Sequence, residues 1–183
     1  MTMEKDVKEC FRMASREDKK GKKHKGLLLA KSNIESAKEY ITKANENLEY
    51  CEIYLQRGSD YKIPEEWYYS LYYCALAILA KFGIESRSQR CTASFLKYAK
   101  DKGLIEYDDE LIDRIMVYKE KEKKSDVDER EEGRYSSWIQ SEEVRSKYDM
   151  MMALCRKAIA QAKEIVFSNK PLKIPEEIRM ALS

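Results

Sequence analysis

Leu27, Ile34, Ile41, Leu48 and Leu55 fall seven residues apart, and Ala30, Ala37, Ala44 and Cys51 follow the first four of them by three. An a/d seam of this kind predicts one helix of roughly 30 residues, about 45 Å long, with large residues at one seam position and small ones at the other. Gly58 is its stop. Upstream, Met3, Val7, Cys10, Phe11 and Ala14 recur at helical spacing and predict a short, peripheral helix ending near Lys19. Downstream, Pro64 sits in a first helical turn with Glu65 and Glu66, and the helix that follows runs to Lys81 or Phe82 and stops at Gly83. A third core helix is expected over about Ser88 to Lys102, and a fourth capped by Asp108 or Asp109 carries Leu111, Ile112, Ile115 and Met116. A last long helix covers Ser141 to Val166, with Pro171 beyond it and a short helix in the tail.

No strand alternation of useful length appears, so the expected fold class is all-α: an up-and-down bundle of four to five helices with an additional N-terminal helix and a short C-terminal one. The chain divides into an N-terminal helix with a basic linker (1–24), the helical bundle (25–168) and a C-terminal tail (169–183). Composition agrees: of 183 residues 43% are hydrophobic and 37% charged, with only six Gly and three Pro. A chain this long buries a self-sufficient core without metal or disulfide.

The five cysteines are odd in number and scattered, which reads as reduced thiols in a cytoplasmic protein. The charged N-terminal residues and the lack of a long apolar run argue against secretion and membrane insertion. His24 is the only histidine, which excludes a multi-His metal centre, a Cys2His2 zinc site and any single-chain mechanism needing two imidazoles. No metal or cofactor is expected. The net charge of +2 hides an asymmetry: residues 1–31 carry ten Lys/Arg against five Asp/Glu, residues 106–132 six against twelve. A polyanion would therefore meet the N-terminal end first.

Several groups of residues carry candidate chemistry. Lys19, Lys20, Lys22, Lys23 and Lys25 form a basic run able to attract phosphates without sequence preference, or simply to be solvated, and no aromatic residues are interleaved for base stacking. His24 lies in this polar loop with no neighbouring carboxylate in sequence to orient it. Tyr69 and Tyr73 share one flank of the aromatic helix, where packing or a dimer interface is favoured over base stacking. Asp109 and Asp113, four apart, could hold Mg²⁺, but acidic residues at a helix start are expected from the dipole alone. In the Met150-Met151-Met152 cluster, only Met151 and Met152 fit the inward stripe. No Gly-rich phosphate loop, Ser/His/Asp order or cysteine nucleophile with a base is visible.

The run Trp67-Tyr68-Tyr69-Ser70-Leu71-Tyr72-Tyr73-Cys74-Ala75-Leu76-Ala77-Ile78-Leu79-Ala80-Lys81-Phe82-Gly83, and then Arg130-Glu131-Glu132-Gly133-Arg134-Tyr135, follow each other between two long helices. Over roughly residues 25–168 this order resembles the HEPN domain (higher eukaryote and prokaryote nucleotide-binding). The resemblance implies a helical bundle that often dimerises, and in ribonuclease members an Arg followed four to six residues later by His. Here Arg130 fills the Arg slot and Tyr135 stands where His is needed. A phenol near pKa ~10 is a poor proton-transfer group at neutral pH, so metal-independent ribonuclease activity of this kind is not expected. By the same analogy Arg130, Arg134 and Tyr135 are candidate nucleotide- or phosphate-binding residues. The resulting expectation is a catalytically degenerate HEPN-like module that binds nucleotide or RNA, in a prokaryotic defence or toxin–antitoxin setting. It would form a homodimer and be paired with a minimal nucleotidyltransferase. The alternatives are an RNA-cleaving toxin with a remodelled polar site and a structural oligomeric bundle.

Overall fold

The computed structural model describes residues 3–116 and 141–180. Its order is α1 (Met3–Asp18), β1 (Leu27–Leu29), α2 (Ile34–Gln56), a 3-10 turn (Asp60–Lys62), α3 (Ile63–Phe82), β2 (Ile84–Ser86), α4 (Gln89–Asp101), α5 (Asp109–Ile115), α6 (Ser141–Phe167) and α7 (Glu176–Arg179). The fold is all-α, with one two-stranded ribbon as its only sheet among the described residues. None of these helices is long and apolar enough to cross a membrane.

The long seam corrects the sequence expectation at its start. Leu27 begins not a helix but β1, which pairs antiparallel with β2 in the register Leu27↔Ser86, Leu28↔Glu85 and Leu29↔Ile84. Helix α2 starts seven residues later because Asn33 adopts extended backbone and its side chain accepts from the Ser36 amide. The helix is thus 23 residues, about 35 Å long. Within it the middle of the seam is buried, at Ala37, Ile41, Ala44, Leu48 and Cys51, while Ile34 is exposed and Leu55 half-buried.

Helix α3 is the centre of the molecule and is buried on most sides, from Ile63 and Trp67 through Ala80 and Phe82. It packs most extensively on α2, then on α6. The α2–α3 contact is close because Ala37, Ala44 and Cys51 are small, and Ser70 Oγ donates to the Ala44 carbonyl at 3.0 Å. At its end Gly83 takes a left-handed φ of 76°. A Cβ there would lie 2.7 Å from the Ala30 carbonyl oxygen, so only glycine lets the chain turn from α3 into β2 against the segment leaving β1. The remaining elements start and stop close to expectation, with Ser88 capping α4 through the Cys91 amide.

The N-terminal helix is not peripheral. Val7, Cys10, Phe11 and Ala14 are buried, and α1 packs on α4 and β1. The reduced-thiol expectation is overturned for two of the five cysteines: Cys10 and Cys91 form a disulfide between α1 and α4, while Cys51, Cys74 and Cys155 remain free and buried. The two partners are 81 residues apart in sequence, and only the packing of α1 on α4 brings their Cα atoms within 5.8 Å.

Closing a loop of this length typically stabilises a fold by about 2–4 kcal/mol. Cys91→Ser is expected to lower the oxidised protein's melting temperature by roughly 5–10 °C, with no change when both proteins are melted in reductant. Equal melting temperatures under oxidising conditions would contradict the cross-link.

Candidate functional site

The ribbon and the start of α2 enclose a cleft of about 460 Å³, lined among others by Lys31, Asn33, Ser36, Tyr40, Glu85 and Arg87. Its floor follows from chain geometry: the Ala30 amide bonds Gly83 O at 2.8 Å, Asn33 N bonds Ala80 O at 3.0 Å, and Ser32 Oγ donates to Lys81 O at 2.7 Å. These contacts hold the link between β1 and α2 against the end of α3. Lys31 and Arg87, both exposed, are part of its lining.

Tyr40 carries the cleft onto the α2–α3 surface. Its ring stacks with Tyr73, centroids 6.0 Å apart and planes at 21°, and Tyr73 stacks in turn with Tyr69 at 5.9 Å and 28°. All three rings are half-buried. Lys43 Nζ lies 5.6 Å from the Tyr40 centroid and 5.9 Å from that of Tyr73, over both rings. Farther along, Asn47 Nδ2 donates to Glu66 Oε2 at 2.8 Å. Tyr40, Lys43 and Asn47 are spaced three and four apart on α2, and Glu66, Tyr69 and Tyr73 have the same spacing on α3. Antiparallel packing therefore sets Tyr40 beside Tyr73 and Asn47 beside Glu66, one continuous aromatic and polar shelf.

Burial raises the Glu66 carboxyl to about 7, with Glu65 adding to the effect and Lys62 opposing it. Burial also lifts the Tyr73 hydroxyl above its ordinary range, helped by Tyr69, Tyr40 and Glu66. The Cys51 and Cys74 thiols are pushed up strongly by desolvation, so neither supplies a thiolate at neutral pH.

His24 contradicts the picture of an unattended loop residue. It is 4% exposed, and its Nε2 lies 3.3 Å from Glu85 Oε1, which also accepts from Arg87 Nε at 2.9 Å. The carboxylate arrives from β2, 61 residues away, and was invisible in local sequence. The glycine after Lys25 is equally tied down. The Gly26 carbonyl accepts from the Arg87 amide at 3.1 Å, and any Cβ on Gly26 would collide with the Cys10 carbonyl.

The basic run ends at this ribbon. Lys19, Lys20, Lys22, Lys23 and Lys25 are all exposed. Tyr69 and Tyr73 lie in the shelf. Arg130, Arg134 and Tyr135 lie outside the described residues. The Mg²⁺ reading of Asp109 is not favoured, because Lys97 and Lys100 hold its two carboxylate oxygens at 2.5 and 2.6 Å. Met151 and Met152 are buried and Met150 is 54% exposed, as their stripe predicted. The residues that sequence reasoning missed are Lys31, Tyr40, Lys43, Asn47, Glu66, Glu85 and Arg87. Only the matched spacing on α2 and α3 signalled any of them.

Comparison with known proteins gave no matching family model, no matching curated protein and no matching solved structure.

Glu66 makes the shelf pH-sensitive. Between about pH 4.5 and 7 the folded chain holds this proton more tightly than an ordinary glutamate does, so the contribution of Glu66 to stability falls as pH rises through that window. Glu66→Gln removes the titration. Its melting temperature relative to wild type should therefore climb from pH 4.5 to pH 8, and a pH-independent difference would show that the carboxyl titrates normally.

Proposed function

We propose that this chain is a HEPN-like binding module that holds single-stranded RNA, or the nucleotide unit of one, without cleaving it. The observation that carries the reading is the Tyr40–Tyr73–Tyr69 shelf with the Lys43 ammonium over it, continuous with a cleft edged by Lys31 and Arg87. Stacked rings accept bases of any sequence, and flanking cations follow the phosphates; together they are the requirements for gripping a single strand. The basic run carries no interleaved aromatics, and the rings this reading uses come from α2 and α3.

The non-catalytic part of the reading rests on the imidazole. The one histidine is buried against Glu85, so it presents no accessible proton-transfer group to a bound strand. The family assignment, the defence or toxin–antitoxin setting and a nucleotidyltransferase partner rest on the order of the aromatic helix and the Arg130–Tyr135 segment. A second copy of the chain is the competing occupant of the shelf, favoured by the half-buried Tyr69 and Tyr73. Salt separates the two, because a phosphate grip weakens with ionic strength and an aromatic dimer seam does not.

Fluorescence-anisotropy titration of a short single-stranded RNA should give an affinity that falls with salt, with a log–log slope of about −2 for three phosphate contacts. Tyr73→Ala should weaken binding by roughly fivefold to a hundredfold, the cost of one lost stacking platform. Binding that ignores both salt and Tyr73 would remove the basis of the reading.

A further inference from the structure

The tyrosine shelf is one end of a longer ladder. On α2, Tyr40, Lys43, Asn47, Tyr50 and Tyr54 recur at steps of three and four and so form one stripe along the helix. On α3 the same steps align Lys62, at its N-cap, with Glu66, Tyr69 and Tyr73. The stripes run antiparallel and meet in three rungs. Tyr40 stacks on Tyr73 with centroids 6.0 Å apart, Asn47 Nδ2 donates to Glu66 Oε2 at 2.8 Å, and Lys62 Nζ lies 5.2 Å from the Tyr54 centroid. Both ends of the ladder therefore have the same make-up, an ammonium close to two tyrosine rings. At one end Lys43 serves Tyr40 and Tyr73; at the other Lys62 serves Tyr54 and Tyr61, 5.9 Å from the second centroid.

The far end is the more open of the two. Tyr50 is 46% and Tyr61 53% exposed, Lys62 is exposed, and the Tyr50 ring lies 6.5 Å from that of Tyr54. Tyrosines grouped around a cation with about half their area in solvent are not accounted for by packing within the chain. Charge favours the two ends over the centre. Glu46, Glu65 and Glu66 flank the middle of the ladder, whereas Glu49 and Glu52 fall on the other side of α2. Asp60, next to Tyr61, is buried, and Arg145 meets its carboxylate at 2.7 Å.

We propose that Tyr54, Tyr61 and Lys62 are a second stacking station for the strand held at Tyr40, Tyr69 and Tyr73, so that the ligand is an oligonucleotide and not a mononucleotide. Lys62 and Tyr73 are eleven residues apart on one helix and Tyr40 and Tyr54 fourteen on the other, which sets the stations about 16 to 21 Å apart. A single nucleotide does not bridge that gap. A strand of ~4 nucleotides or more does, the lower end of the site sizes found in grooves that bind single strands without sequence preference. Once a base is stacked at one station, the other meets the rest of the strand at high effective concentration, and affinity rises with length. The inference rests on the binding surface proposed above and adds to it the length and class of what that surface takes.

The test is fluorescence-anisotropy titration of the full chain with end-labelled oligouridylates of two, four, six and eight nucleotides. The octamer should bind roughly a hundredfold more tightly than the dinucleotide, with most of the gain arriving once the strand reaches both stations. Tyr61→Ala, checked for folding by circular dichroism, should weaken the octamer roughly fivefold or more and leave the dinucleotide, which still has the first station, within about twofold. Lys62→Gln should lower the octamer's log–log salt slope by about one. An octamer gain no larger than the number of dinucleotide registers it contains would overturn the second station and leave the first standing. So would octamer binding that depends on Tyr73 but ignores both Tyr61→Ala and Lys62→Gln, or sedimentation showing that Tyr61→Ala dissociates a dimer while RNA affinity is unchanged. Absence of binding at every length would overturn the surface itself.

Discussion

The close approach of α2 and α3 governs the rest of the molecule. Alanine and cysteine at the inner positions of α2 let the two helices come near enough for Ser70 Oγ to reach the Ala44 carbonyl. That one register sets every pair on the outer flank, from Tyr40 beside Tyr73 to Asn47 beside Glu66. Larger inner residues would separate the helices and break the shelf, because ring stacking and a hydrogen bond both fade within about 1 Å of added distance. Packing and site are therefore one construction. The small residues that tighten the core also align the surface.

The ribbon adds the second part. Gly83 reverses the chain at the end of α3 and lets β2 pair with β1, which closes a cleft at the start of α2. Helix α1 is bound to α4 by the disulfide and packs against β1 and against Gly26 just before it. The basic run between α1 and β1 is thereby anchored at both ends. His24 serves this arrangement: buried at the ribbon, it shares Glu85 with Arg87 and so helps fix a cation at the cleft edge.

Much of the fold was legible in the chain because its signals are local. Pro64 and Gly83 bracket α3, Ser88 caps α4, and the stripe from Val144 to Val166 defines α6. The seam misled at its start: Leu27 belongs to a strand whose partner lies more than fifty residues away, and Ala30 and Ile34 are exposed. The disulfide and the His24–Glu85 contact were hidden for the same reason, since tertiary packing alone joins positions that distant. The site was legible least. Tyr69 and Tyr73 stood out as a flank, but their partners Tyr40 and Lys43 look like ordinary surface residues until α2 is laid against α3. The Arg130, Arg134 and Tyr135 reading lies outside the described residues.

Charge completes the account. The Lys43 ammonium over the Tyr40 and Tyr73 rings, the Lys31 and Arg87 side chains lining the cleft and the exposed lysines before β1 are the cations available to the path proposed for a bound strand. Ultraviolet crosslinking of a short mixed-sequence single-stranded RNA to the intact protein, with mass-spectrometric location of the adducts, probes that path directly. The account predicts adducts on Tyr40, Tyr69 or Tyr73; adducts that avoid α2 and α3 altogether would contradict it.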